Sequence, residues 1–111
     1  MAVDYARAMA AYKVGGEGGD GLSQHQVGHM YYDGLGVDVD YKQAVVWFEK
    51  AAAQDYPNAI SQLGTMCLSG LGVTQSFRRA REYYMRAIEL GHSQAVENMQ
   101  NFTEIIQKVT S

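Results

Sequence analysis

Four groups of residues in this 111-residue chain have types and spacings that could do chemistry. Gly16, Gly18 and Gly21, inside the run from Gly15 to Leu22, fit the G-x-G-x-x-G spacing of loops whose backbone N–H groups approach a phosphate. His25 and His29 stand four residues apart, the helical spacing that offers two imidazoles to one metal ion. Cys67 is a potential nucleophile, with either histidine as its base. Arg78, Arg79, Arg81 and Arg86 form a basic stretch of the kind that meets nucleic-acid phosphates.

Each chemistry needs a supporting element, and composition narrows the choice. The chain is 47% hydrophobic and 19% charged, with a net charge of −3, which fits one globular domain and does not call for nucleic acid. Among the arginines stand Glu82 and Glu89, with Arg78 and Glu82 at i, i+4, the pattern of an ion-paired outer helix face. A lone cysteine allows no intrachain disulfide, and neither a signal peptide nor a membrane-length apolar run is readable. The expectation is a cytoplasmic protein, with no cofactor, no nucleic acid and no membrane among its partners.

The elements come from comparing the chain with itself. Asp33-Gly34-Leu35-Gly36-Val37 recurs as Ser69-Gly70-Leu71-Gly72-Val73, a shift of 36 residues. In that register Gln26, Gly28, Met30, Ala44 and Ala51 coincide with Gln62, Gly64, Met66, Ala80 and Ala87, while Trp47 and Phe48 meet Tyr83 and Tyr84. Asp4, Tyr5, Ala8 and Tyr12 extend it backward onto Asp40, Tyr41, Ala44 and Phe48, and Ala95 and Met99 extend it forward. The division is a partial repeat over 1–21, repeats over 22–57 and 58–93, and a capping helix over 94–111.

Each unit reads as two helices. Asp40, with Gln43 three residues on, starts a helix whose apolar residues Ala44, Trp47, Phe48, Ala51 and Ala52 share one face. Pro57 suits the first turn of the next, through Ala59, Leu63, Gly64 and Cys67 to a glycine stop at Gly70. Helices are expected near 4–15, 22–33, 40–54, 57–69, 76–90 and 93–109. We call the first member of each unit helix A and the second helix B. Gly28 and Gly64 mark close contact within helix A, and the aromatic residues, including Tyr5, Tyr12, Tyr31, Tyr41 and Phe77, read as core packing.

The glycine run then falls at a B-to-A turn. Gly15 and Gly16 align with Ala51 and Ala52, and Gly19 with Asp55. A dinucleotide loop needs a preceding strand, and none is readable here. Glu17 and Asp20 would also repel a phosphate. Glycine in place of alanine predicts early fraying of the first helix and a weak joint to the next pair. Cys67 takes the position of Tyr31, away from both histidines, as a packed thiol. For a metal, Glu97 shares a column with His25 but lies two repeats away, too far to complete a site.

The pattern Ala-x-x-x-Leu-Gly, then Gly-x-Gly-Val, an aromatic, and Ala-x-x-aromatic before a further Ala, resembles the Sel-one-like repeat family, relatives of the tetratricopeptide repeat. It is carried by Ala59, Leu63, Gly64, Gly70, Gly72, Val73, Phe77, Ala80, Tyr83 and Ala87 in one unit. In the other it is carried by Val27, Gly28, Tyr31, Gly34, Gly36, Val37, Tyr41, Ala44, Trp47 and Ala51. Departures are Cys67 in place of an aromatic, Asp55 where the family has glycine, and a degraded first pair. The resemblance implies an all-α fold, a right-handed α-solenoid of about six helices in antiparallel pairs. It implies a scaffold or adaptor that binds a protein or peptide on its concave face, with no catalytic residues.

Helical phase locates that surface independently. In the first full helix A, Ser23, Val27, Met30 and Tyr31 share one side, while Leu22, His25, His29 and Tyr32 lie opposite. Stacked repeats would align His25, Ser61 and Glu97 in one column and His29, Thr65 and Asn101 in another, with Tyr32 and Leu68 beyond. This strip is the expected partner-binding groove, set against a plainly solvated face. An alternative is a self-associating unit, joined through an N-terminal helix on which no preceding helix covers Tyr5, Met9 and Tyr12.

Overall fold

The computed structural model describes residues 4–110, with side chains as far as Lys108. The first three residues and Ser111 of the expected terminal segments therefore lie outside it. Among the described residues there are six helices and no strand: α1 Tyr5–Glu17, α2 Gly21–Asp33, α3 Tyr41–Ala52, α4 Pro57–Ser69, α5 Phe77–Glu89 and α6 Ser93–Thr110. Each packs on the next, and α4 also touches α6, giving an elongated body of 48 × 27 × 26 Å. This is an α-solenoid. Helices α2, α4 and α6 are the A members, and α1, α3 and α5 the B members.

The repeat is visible in the caps. Asp4, Asp40 and Ser76, 36 residues apart, each accept a hydrogen bond from the backbone N–H three residues on, at the starts of α1, α3 and α5. Gly34 and Gly70 close α2 and α4 in the left-handed conformation, at φ 73° and 72°. The second glycine of each turn does more than reverse the chain. A Cβ on Gly36 would stand 2.6 Å from the carbonyl carbon of Tyr5, and one on Gly72 2.5 Å from the carbonyl oxygen of Tyr41. The turn after each helix A thus presses on the start of the preceding helix B.

Gly28 and Gly64 are needed for space. A Cβ on Gly28 would fall 2.7 Å from the Phe48 ring, and one on Gly64 2.8 Å from the Tyr84 ring. The aromatic side chain of helix B is seated on the bare backbone of helix A. Phe48, Tyr84, Ile60, Leu63, Met66 and Val27 are the largest fully buried side chains. Trp47 is buried with Met9, Val27 and Met30. Tyr5, Tyr12 and Tyr41 depart from the core reading and stay exposed. For Tyr5 and Tyr12 the cause is that α1 has α2 as its one principal partner.

At the joint between α1 and its neighbours, the helix runs two residues past the expected end at 15. Helix α1 continues through Gly15 and Gly16 to Glu17. A Cβ on Gly15 would meet the Ser23 hydroxyl, and one on Gly16 would stand 2.8 Å from the Trp47 ring. These glycines let α1 approach both α2 and α3. The carbonyl of Gly16 accepts from Gln24 Nε2 at 2.9 Å, and Gln24 Oε1 accepts from Gln54 Nε2 at 2.8 Å. A polar relay therefore ties the ends of α1 and α3 to α2.

Candidate interaction surface

Among the A helices α4 touches α6, and α2 reaches the core shared by α3 and α4 through Tyr31 and Tyr32. On α2, His25 is half-buried between Phe48 and Tyr56, with ring centroids at 5.6 and 5.3 Å. It stacks on His29 at 6.2 Å, the planes 6° apart. Its Nδ1 is enclosed and has no hydrogen-bond partner among the described residues. Burial, and then the neighbouring His29, lower its pKa from 6.5 to about 4. His25 is consequently a neutral packing group at physiological pH.

One turn on, His29 is exposed and its Nε2 lies 3.0 Å from the Asp33 carboxylate. Tyr32 is half-buried and sets its ring edge-on to Tyr41, centroids 5.4 Å apart. Burial, followed by Tyr41 and Asp33, raises its phenol pKa. These residues offer a ring, a donor and a carboxylate on one open face of α2.

On α4 the strip is more tightly closed than helical phase implied. Ser61 is buried, and its hydroxyl accepts from Asn98 Nδ2 of α6 at 2.8 Å. Ser61 is therefore corrected from a partner-facing residue to a helix-joining one. Its small side chain lets α6 approach α4, and Asn98 rather than Glu97 faces it. Thr65 is half-buried, its hydroxyl 2.9 Å from that of Tyr84. Leu68 is half-buried against the cluster of Cys67, Ala80, Tyr84 and Phe102. On α6, Glu97 and Asn101 are exposed, and Glu97 accepts a 3.3 Å bond from Gln94.

The other sequence-level candidates resolve as packing. Cys67 is 2% exposed, and its thiol pKa is raised chiefly by burial. Gly16 lies within α1, Gly18 caps it and Gly21 begins α2, so a helix precedes the glycine turn where a dinucleotide loop would have a strand. The carboxylate of Asp20 already occupies the start of α2, accepting from the Ser23 N–H and hydroxyl, and that hydroxyl bond is the main cause of its lowered pKa. Arg78 lies 3.8 Å from Glu82 on the open face of α5. Arg86 turns instead to the α3–α4 turn, where Nη2 donates to the Ala52 carbonyl at 2.7 Å and to Asp55 at 2.6 Å. Met9, expected on an association surface, is 5% exposed and belongs to the core beneath α1.

Sequence reasoning overlooked Asp33, Tyr56 and Asn98. Asp33 was detectable, since it stands at i, i+4 from His29 on one helix. Tyr56 and Asn98 act through tertiary placement and carry no local signal.

The model of the Sel1 repeat matches residues 21–56 and 57–92. No curated protein matches significantly. Among solved structures, the chain is similar to a protective antigen present in uropathogenic Escherichia coli strains that displays an SLR fold. Identity is 35% and the TM-score 0.84, over 86% of this chain and 21% of that one. It is also similar to a Sel1 repeat protein from Oxalobacter formigenes, at 35% identity and a TM-score of 0.79, over 83% of this chain and 38% of that one. The chain spans well under half of either protein. Among the described residues, no helix is long and apolar enough to cross a membrane.

Proposed function

The chain belongs to the Sel1 repeat family, and from that premise we propose that it is a protein-protein interaction module that holds a partner protein or peptide against the row formed by α2, α4 and α6. The observation that carries this reading is the set of A-helix side chains left open after the helix pairs have closed. His29, Glu97 and Asn101 are exposed, while Tyr32, Thr65 and Leu68 present half-buried edges between them. The mixture of ring, hydroxyl, amide, carboxylate and one aliphatic side chain suits a partner of moderate affinity. Scaffolding needs no reacting group, and none is assigned.

Three exposed positions make the test clean, because none of them supports the core. The variant His29→Glu, Glu97→Arg, Asn101→Arg should lose a partner that the unaltered chain captures from its source lysate, with helical signal and melting temperature preserved. Retention of that partner by the variant would refute the assignment of this face.

A further inference from the structure

Two arginines of α5 meet at a cavity of about 260 Å³, lined by Arg79, Glu82, Tyr83 and Arg86. At i, i+3, i+4 and i+7 these residues share one flank of the helix, the flank from which Arg86 reaches the α3–α4 turn. The equivalent positions in the preceding unit, 36 residues back, are Gln43, Val46, Trp47 and Lys50. There the indole is buried, and the Lys50 ammonium lies over it, 4.2 Å from the ring centroid. The later unit therefore has a smaller ring and two guanidinium groups where the earlier one has an indole, an amide and an ammonium.

Hydrogen-bond donors are left over at this cavity. A guanidinium has five N–H groups, and Arg86 uses Nη2 for the Ala52 carbonyl and Asp55. Those bonds hold the group in place while its Nε and Nη1 hydrogens stay uncommitted among the described residues. The side chain of Arg79 makes no hydrogen bond or ion pair among the described residues. Between the two arginines, the Tyr83 ring is half-buried against two core clusters, which fixes its position, and its hydroxyl is likewise unpartnered among the described residues.

Acidic neighbours decide what these donors can take. Glu82 lies in the wall, 3.8 Å from Arg78, Asp55 holds Arg86, and Glu49 of α3 acts with Arg79 on the Cys67 thiol. Three carboxylates around the arginines leave little net field for a polyanion, and a phosphate dianion would meet them at close range. A carboxylate brings a single charge and accepts two parallel N–H bonds from one guanidinium. Size agrees with this, because the cavity is smaller than the roughly 300–1,000 Å³ of cofactor pockets and suits one side chain or chain end. We infer that the cavity receives a carboxylate of a partner peptide, gripped by the Arg79 fork and completed by the Tyr83 hydroxyl and the spare Arg86 donors. An acidic side chain and a free C-terminus offer the same group. The surface lies on a helix B, apart from the α2–α4–α6 strip, so either can fail without the other.

The test is an NMR titration of the whole chain, read at the arginine Nε–H signals and the α5 amides. Its probes are acetylated tripeptides: Ala-Glu-Ala with an amidated end, Ala-Ala-Ala with a free carboxylate, and amidated Ala-Gln-Ala as the control. At least one carboxylate peptide should shift the Arg79 and Arg86 signals saturably, with a Kd on the order of 1 mM, and the stronger of the two identifies the source of the group. The glutamine peptide should give no saturable shift. Arg79→Gln should weaken binding at least about fivefold, whereas Arg81→Gln, the same loss of charge on the flank beside Met99 and Thr103, should change it less than about twofold. Both arginines are exposed, so neither variant threatens the fold. The inference is overturned by no response to either carboxylate, by an equal response to the glutamine peptide, by equal damage from the two variants, or by inorganic phosphate binding more tightly than either peptide.

Discussion

Holding a histidine between two aromatic rings carries a cost that appears as acid sensitivity. The folded pKa of His25 is lowered to about 4 from 6.5. Between those values the unfolded chain binds a proton that the folded chain does not. This group's share of stability is therefore intact above about pH 6.5, falls as pH drops toward 4, and is level below. Allowing for solvent screening at the open side of the ring, the loss is about 1–2 kcal/mol. In His25→Phe the urea midpoint should fall less between pH 7 and 5 than in the unaltered chain, because that variant has no imidazole to titrate and no unpartnered Nδ1. Identical pH profiles for the two proteins would show that His25 is solvated. A second residue-scale contrast sets space against propensity. Alanine at a helical glycine ordinarily gains about 1 kcal/mol, yet Gly64→Ala should cost about 1–3 kcal/mol by pushing on the buried Tyr84 ring. Gly18→Ala, at φ −77° with its nearest neighbour at 3.4 Å, should be neutral or stabilising by up to about 1 kcal/mol. Thermal melts of the pair decide it.

Arg86 is one of the polar links between neighbouring helix pairs. It reaches from α5 to the α3–α4 turn, where Asp55 is, among the described residues, the non-glycine residue held at positive φ, 58°. Arg86→Met should cost about 1–2 kcal/mol, mainly by leaving the Ala52 carbonyl without its charged donor. Asp55→Gly should be nearly neutral, since relief of the backbone offsets an exposed ion pair. Denaturant titrations in which Asp55→Gly is the more damaging would reverse that ranking. The difference also explains what was legible in the sequence. Helix existence, order and the A/B pairing followed from the recurrence of Gly28 and Gly64, Gly34 and Gly70, and Ala44 and Ala80, because those residues are fixed by contacts within one period. The partner of Arg86 was not legible, because Asp55 lies 31 residues away, across a turn the repeat pattern does not encode. Ser61 failed for the same reason. Helical phase gives the direction of a side chain but not how closely the neighbouring A helix sits.

At the scale of the whole molecule, a solenoid divides its stability among neighbours. Helix α1 has one principal neighbour, α2, whereas α3 lies between α2 and α4. Amides of α1 should therefore exchange with deuterium faster than those of α3, although Gln24 ties the Gly16 end. Protection should rise toward Gly16 rather than fall, which is the reverse of a helix weakened by its glycines. The partly open face of the A helices also belongs to this scale, and the proposed partner strip lies on it. The most direct test is hydrogen exchange of the chain with and without its captured partner. The account predicts slowed exchange concentrated on the strip in α2 and α4, around residues 25–32 and 61–68, and in α6 around 97–101. Slowing confined to the outward face of α3 and α5, with that strip unchanged, would contradict it.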